Sequence, residues 1–355
     1  MTALDHGVYL LEGKNGGSFS DGLGTVAPLM IPNRLKIAFM GNPGYGGLVL
    51  EALLKHDADV VAVFHQSQSR AHYLKKMYRR YFRSCKRVRD GFHRLADKWN
   101  VLLDEKSPVP TFGKDTVEVA RSHQIRLFDG SFVHDARCVE VLKSLEVDVL
   151  LVATFGEILP PSLLAAPTIV AMNMHPSLLP KYRGGFPEFN AVYNGEEKSG
   201  ISFHLMEEKF DTGNILLQKE LYLNRGETTL SLKARLAELA SNAVPDLLGL
   251  IEARDLAGSP QDPSKATYCE LKKNFDLIDH TMTTQHIMNV IDACYDVEDI
   301  ARPHFYHKGV KIFALSYGQK GFPFKASDAV VAFDSVRYGH KIYRGEPSFK
   351  LHNVL

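Results

Sequence analysis

Short apolar runs separated by turn residues follow one another from residue 35 onward. Residues 35–39 and 59–64 are apolar and favour strands, while residues 48–55 have the three- and four-residue spacing of an amphipathic helix. A glycine-rich turn at residues 41–47 joins the first strand to this helix. Strand, turn, helix and strand at this pitch predict a βαβ unit with parallel strands.

The same alternation continues to residue 253. Strands are predicted at residues 147–153, 168–174, 200–206 and 215–223. Helices are predicted at residues 136–145, 161–165, 187–193 and 229–253. This order predicts an α/β fold, with a Rossmann-like parallel sheet over residues 34–257.

The two ends of the chain have a different character. Residues 1–33 are glycine-rich and polar, and we interpret them as an N-terminal extension outside the core. Residues 258–265 are rich in glycine, proline and serine, which predicts a linker. Residues 266–355 hold one helix (284–294) and several short strands, which predict a small, mainly β, OB-like C-terminal domain.

Composition excludes several protein classes. Formal net charge is +1, and the four cysteines (Cys85, Cys138, Cys269, Cys294) are far apart and form no CxxC, so neither a metal site nor a disulfide framework is indicated. Dispersed cysteines without a disulfide framework are typical of a cytoplasmic protein. No apolar run approaches the ~20 residues that a membrane helix needs, and no secretory signal pattern is visible at the N-terminus.

One segment departs from this even charge balance. Residues 70–98, within a predicted helical insertion at 66–110, carry eleven lysines and arginines against two aspartates, with aromatic residues interleaved at helical spacing. Two interpretations remain open: a solvated helix face, or a surface for a phosphate-bearing substrate or nucleic acid. Under the second, Arg79 and Arg80 are candidate substrate-binding residues.

The glycine-rich turn raises the question of a dinucleotide cofactor. Its spacing is not GxGxxG, and His65-Gln66 stands where an acidic residue would close the second strand, so nicotinamide binding is disfavoured. A turn before a helix still offers backbone N–H groups to an anion. Asn42, Pro43 and Gly44 are therefore candidate substrate-binding residues.

The candidate chemistry lies at the ends of two successive strands. Asn173 and His175 are two residues apart, so they share one face of a strand at its C-terminal end, where open parallel sheets bind ligands. Alone, such a pair is more often structural. Asp211 follows the next strand and can return a carboxylate to the histidine, and the set then suits acyl transfer. His204, within that strand, is interpreted as a core histidine or as a support for Asp211.

Several ordered motifs carry a family resemblance. They are KIAFMGNP (36–43), ATFGEIL (153–159), NMHPSLLPKYRG (173–184), NGEEKSGISFHLM (194–206) and EKFDTGNILLQ (208–218). With them the chain resembles the folate-dependent formyltransferase family over most of residues 34–257. ATYCELKKNFDLID (266–279) and HKGVKIFALS (307–316) are similar, more weakly, to the C-terminal domain of methionyl-tRNA formyltransferases.

The resemblance implies a donor, 10-formyltetrahydrofolate, an acceptor amine, no metal, and Asn173, His175 and Asp211 as the catalytic residues. Asn173 and protonated His175 would donate hydrogen bonds to the formyl oxygen, and Asp211 would hold His175 in its charged form and accept the amine proton. The residues expected to bind the folate are Gly156, Glu157, Ile158, Leu159, Met206, Glu208, Phe210 and Asp211. Arg183 and Gly184 are expected to bind the acceptor.

The acceptor remains open at this point. An aminoacyl-tRNA is favoured by the C-terminal part and the basic segment, and a small amine or a nucleotide-linked amino sugar is the alternative. Two other functions are compatible with the same fold: hydrolysis of the formyl-folate, with water as acceptor, and binding of RNA or another partner without catalysis. The sequence predicts no particular oligomeric state.

Overall fold

The computed structural model describes residues 34–65, 114–130, 133–269, 275–295, 303–307, 310–318, 322–338 and 341–344. The N-terminal extension (1–33) lies outside the described residues. So does the whole predicted insertion (66–110), which includes the basic segment 70–98 with Arg79 and Arg80. The described residues from Leu35 onward belong to one compact unit.

A mixed seven-stranded sheet forms the centre, in the order β3-β2-β1-β4-β5-β6-β7. Strands β1 to β5 are parallel, whereas β6 and β7 run antiparallel at one edge. This confirms the predicted α/β class and adds the antiparallel edge to it. The strands are β1 (Lys36–Gly41), β2 (Asp59–His65), β3 (Leu127–Asp129), β4 (Val149–Ala153), β5 (Val170–His175), β6 (Lys198–Leu205) and β7 (Ile215–Tyr222).

Helices cover both faces of this sheet. One buried cluster joins the sheet to α1, α5 and α6, and a second joins its other face to α3 and α4. Local signals start several of them: Thr228 and Ser231 form a capping box for α6, and Asp135 caps α3. The helices are α1 (Tyr45–Lys55), α2 (Thr116–Ser122), α3 (Ala136–Ser144), α4 (Pro161–Leu164), α5 (Pro187–Tyr193) and α6 (Thr229–Glu252).

The predicted start of α1 at residue 48 is wrong, because Tyr45, Gly46 and Gly47 already form its first turn. Close packing explains the glycines there. A Cβ on Gly47 would lie 1.8 Å from the carbonyl oxygen of Lys114, so this turn tolerates only glycine without a backbone shift. The turn between β1 and α1 is therefore shorter than predicted, at residues 42–44.

Among the described residues after the predicted linker, the structure has one helix, the predicted α7 (Thr284–Cys294). It also has an antiparallel sheet, which agrees with the predicted mainly β character. The sheet order is β10-β11-β9-β8, with β12 paired to β11. Helix α7 packs on α5, and the ring of Phe189 meets that of Phe275 edge-on at 5.5 Å. The strands are β8 (His304–His307), β9 (Val310–Gly318), β10 (Phe322–Lys325), β11 (Val330–Tyr338) and β12 (Lys341–Arg344).

The order in which strands are added to the large sheet reverses between β1 and β4. From β1 the chain adds β2 and β3 on one side, and from β4 it adds β5 on the other. Asn42 and Thr154 follow these two strands, and the Asn42 side-chain amide donates to the Thr154 carbonyl at 2.8 Å. Such a switch point opens a crevice at the carboxyl ends of the strands, where ligands bind.

No helix within the described ranges combines the length and the apolar character that crossing a bilayer requires.

Candidate active site

Asn173 and His175 close β5, and β6 runs beside it so that Asn173 lies opposite His204. The Asn173 side-chain nitrogen is 3.2 Å from Nε2 of His204. Nδ1 of His204 is 2.8 Å from the carbonyl oxygen of Leu205, which can only accept, so this nitrogen carries a hydrogen. His204 is buried, as a core histidine would be, and it also belongs to the polar cluster.

Asp211 lies between two imidazoles. Its Oδ2 is 3.7 Å from Nδ1 of His175, and its Oδ1 is 3.5 Å from Nε2 of His204. The backbone N–H of Gly184 donates to Oδ2 at 2.8 Å. The predicted trio thus meets in one cluster, in which His204 links Asn173 to Asp211.

The electrostatics of the cluster centre on this carboxylate. Burial alone would raise the pKa of Asp211. The charge of His175, the hydrogen bond and charge of His204 and the Gly184 N–H outweigh burial, and they hold the pKa of Asp211 well below its usual range. The site therefore contains a buried, ionised carboxylate.

The two nitrogens of His175 have different surroundings. Nε2 donates to the Tyr182 carbonyl at 2.8 Å, while Nδ1 faces Asp211. At 3.7 Å the Nδ1–carboxylate contact is longer than a hydrogen bond. Nε2 carries a hydrogen in this arrangement, and when His175 is protonated Nδ1 carries one too, which can donate to another oxygen beside Asp211.

The two loops expected to hold the folate come together on one face of the sheet. Leu159 is buried, and Met206 packs against the same apolar cluster. Ile158 and Phe210 are 53% and 45% exposed, so each loop presents an apolar side chain. Gly156 and Glu208 are exposed, and Glu157 is half-buried.

The residues expected to bind the acceptor fall into two places. Asn42, Pro43 and Gly44 lie at the switch point, and the buried Oδ1 of Asn42 has no donor among the described residues. Buried side-chain oxygens usually accept a hydrogen bond, so a bound ligand or water is a suitable donor to this atom. Arg183 is buried instead, with its guanidinium bonded to Gln261 and Tyr268, while Gly184 contributes its N–H to Asp211.

A family model described as formyl transferase matches residues 35–248. The chain belongs to the formyl transferase family. The methionyl-tRNA formyltransferase of Thermotoga maritima is 30% identical over 283 residues, which are 79% of this chain and 79% of that protein. That of Staphylococcus epidermidis is 31% identical over 81% of this chain and 82% of its own. Membership confirms the predicted formyl-transferring enzyme.

Solved structures share the fold of this formyltransferase at lower identity. A sugar 3N-formyl transferase, solved with dTDP and 5-N-formyl-THF, has a TM-score of 0.58 at 16% identity and covers 88% of this chain and 98% of its own. An N-formyltransferase from Helicobacter canadensis, in complex with folinic acid and dTDP-3-aminofucose, has a TM-score of 0.57 at 16% identity, over 88% of this chain and 99% of its own. These two structures show the same fold as this chain.

Two features of this formyltransferase site had no clear signal in the sequence. The side chain of Gln261 reaches the Asp211 loop, although it lies in a stretch whose composition predicts a linker. The Tyr182 carbonyl bonded to His175 is a backbone group, which sequence motifs do not report.

The described residues contain no group of three or more histidine, cysteine, aspartate or glutamate side chains that could hold a metal ion.

Proposed function

We propose that this formyltransferase moves the formyl group of 10-formyltetrahydrofolate onto an amine, with Asn173, His175 and Asp211 as its catalytic residues. One observation carries the proposal: an ionised, buried carboxylate faces His175 at 3.7 Å and His204 at 3.5 Å, and Asn173 contacts His204. This arrangement has hydrogen-bond donors and a proton acceptor around a single small volume.

The chemistry is a direct transfer. The acceptor nitrogen attacks the formyl carbon, a carbon–nitrogen bond forms, and the carbonyl oxygen becomes negative. The side-chain amide of Asn173 and Nδ1–H of protonated His175 donate to this oxygen, and removal of one such donor typically costs about 10²–10³ in rate. The bond from the carbon to N10 of the folate then breaks, and the carbonyl reforms.

A proton must move from the attacking nitrogen to N10 of the departing folate. Asp211 can accept this proton, because its carboxylate is ionised and its loop adjoins the apolar 156–159 and 206–210 surfaces. Its low pKa makes it a weak base, so it passes the proton on to N10 and does not retain it. A water between the acceptor and Asp211 completes the relay, and proton transfer of this kind contributes about 10²–10⁴ in rate. The folate ring occupies the face between those two loops.

The acceptor proposed first is an aminoacyl-tRNA charged with methionine. Three features support it: relatives of that name align over about four-fifths of the chain, the C-terminal part forms a small antiparallel sheet, and the sequence contains the basic segment 70–98. Phosphate-rich acceptors favour basic surfaces. We place this reaction in the cytoplasm, in keeping with the dispersed cysteines.

The second candidate acceptor is a nucleotide-linked amino sugar. Its support is the fold similarity to two sugar formyltransferase structures, over 88% of this chain in each case. Oδ1 of Asn42 at the switch point has no donor among the described residues, and it is a suitable acceptor for an N–H or O–H of either ligand class.

A donor-consumption assay separates these candidates. Purified chain is incubated with 10-formyltetrahydrofolate and, in turn, methionyl initiator tRNA, a nucleotide-linked amino sugar, simple amino acids, or no acceptor. We expect consumption that depends on the tRNA. Sugar-dependent consumption would favour the second candidate, full consumption without acceptor would mean hydrolysis, and no consumption with any acceptor would reject the proposal.

A further inference from the structure

Residues 257–269, which we name the strap, follow α6 and run across the two loops of the active site. Ser259 exchanges two backbone hydrogen bonds with Ile215, each 2.8 Å long. The side chain of Asn214 donates to the carbonyl of Ala257, also at 2.8 Å. The strap is therefore attached to the loop that carries Asp211.

Gln261 is the side chain of the strap that reaches the cluster. Its Nε2 donates to the carbonyl oxygens of Asp211 and Gly213, both at 2.8 Å. Its Oε1 accepts from Arg183, at 2.7 Å from Nη2 and 3.2 Å from Nε. One amide thus joins the loop of Asp211 to the loop that follows His175, and it uses both of its ends to do so.

The far end of the strap pairs with the loop after His175. The backbone N–H of Arg183 donates to the Thr267 carbonyl at 2.9 Å, and that of Tyr182 donates to the Thr267 hydroxyl at 2.8 Å. Tyr182 has a φ of +59°, a conformation that non-glycine residues hold only when their surroundings impose it. These contacts supply that constraint, and the Tyr182 carbonyl then points at His175.

Cys269 completes this pairing. Its sulfur donates to the Tyr182 carbonyl at 3.3 Å, the same oxygen that accepts from Nε2 of His175. Burial, with the charges of Glu188 and Asp211, raises the pKa of the Cys269 thiol well above its usual range, so the sulfur keeps its hydrogen. Donors from the strap and from His175 therefore converge on one carbonyl.

We propose that the strap positions the active site, with Gln261 setting the Asp211 loop against Arg183 and Cys269 fixing the carbonyl that orients His175. This inference rests on the proposed function of Asp211 and His175. Gln261 and Cys269 act as positioning residues, since their contacts are to groups that carry the catalytic side chains. A displacement of about 1 Å at such a site typically costs about 10²-fold in rate.

The test compares Gln261→Met with a matched control, Gln285→Met. Gln285 is exposed on α7, and its side chain donates a hydrogen bond to that of Asn289 at 2.9 Å. Both variants exchange an amide for an apolar chain of similar length. The readouts are kcat, KM for donor and acceptor, the unfolding temperature, and the imidazole ¹⁵N resonances of His175 and His204.

We expect Gln261→Met to lower kcat by about 10²-fold, with KM for the donor nearly unchanged and shifted resonances of both histidines. Gln285→Met should change neither kcat nor the resonances. Wild-type kcat in Gln261→Met overturns the proposal. So do unchanged histidine resonances, or an equal loss of kcat in both variants.

A second pair of variants serves if Gln261→Met does not fold. Cys269→Ala removes one donor and should lower kcat by about 2- to 10-fold, the range of one net hydrogen bond, and Cys269→Ser should restore it. Equal activity of the alanine and serine variants overturns the role of Cys269. The resonances need no turnover, so they test the strap even if no acceptor is formylated, an outcome that rejects the proposed function alone.

Discussion

The backbone N–H of Gly184 donates a 2.8 Å hydrogen bond to Oδ2 of Asp211, and this bond joins the loop after His175 to the loop after β6. The same oxygen lies 3.7 Å from Nδ1 of His175. The position of the carboxylate is therefore set by backbone geometry. Its low pKa follows from the groups that this geometry brings around it.

Asn173→Ala should lower kcat by about 10²–10³-fold, because it removes one donor to the developing negative oxygen. KM for the donor should change little, since Asn173 lies at the reacting carbon in the proposed mechanism. Steady-state kinetics with the preferred acceptor measure both. Asn289→Ala, at a side chain that bonds Gln285 on α7, is the control. Equal kcat values in the two variants would remove Asn173 from the mechanism.

Asp211 also makes stability depend on pH. Its folded-state pKa is lowered, so its contribution is complete above the unfolded value of about 4 and is lost as pH falls toward the folded value. Between pH 5 and pH 3 the free energy of unfolding should therefore fall more steeply for wild type than for Asp211→Asn. Urea unfolding at several pH values measures this. Parallel curves for the two proteins would contradict the account.

Gly213 and Gly249 form a matched pair for the packing of the Asp211 loop. A Cβ on Gly213 would lie 2.0 Å from the Leu205 carbonyl oxygen, whereas no described atom lies within 4 Å of one on Gly249. Gly213→Ala should cost about 1–3 kcal/mol and reduce kcat, because the loop must shift. Gly249→Ala, within α6, should stabilise by about 0.5–1 kcal/mol. Urea unfolding and kcat check both, and similar behaviour of the two variants would argue against a tightly packed loop.

The basic segment provides a prediction about the acceptor. Changing Arg79, Arg80 and Arg83 to glutamine should raise KM for a tRNA acceptor. The slope of log KM against log salt should flatten by about one for each lost phosphate contact. KM for the donor should stay constant. The control changes Lys55, Arg121 and Lys143, which are exposed basic residues elsewhere. An unchanged KM for tRNA in the first variant would make this segment a solvated face.

Sequence patterns predicted those parts of the fold that local spacing determines. Helices α5 and α7 begin and end at the predicted residues, because their apolar periodicity agrees with a local start signal, the proline at the beginning of α5 and the Thr283 cap of α7. Strand β3 was not predicted, since its three residues are too few to show a period. The start of α1 was misplaced because glycine is a poor helix former, and the contact that requires it is 67 residues away in the chain, at Lys114.

The candidate site shows a similar division. Asn173, His175 and Asp211 were placed together by the rule that ligands gather at strand ends, which needs only the order of the elements. The sequence does not indicate Gln261, because two of its partners are backbone carbonyls, which residues of any type would supply. The sequence leaves the role of His204 open, because its contact with Asp211 depends on how the loop after β6 folds back.

The most direct test of the central claim measures turnover and donor binding of Asp211→Asn in parallel, with Asp246→Asn as control. Asp246 pairs with Lys219 on the surface at 2.7 Å and has no place in the cluster. The account predicts that Asp211→Asn loses about 10²–10⁴-fold or more in kcat while its Kd for a formyl-folate stays near that of wild type, and that Asp246→Asn changes neither. Near-normal turnover in Asp211→Asn would contradict it.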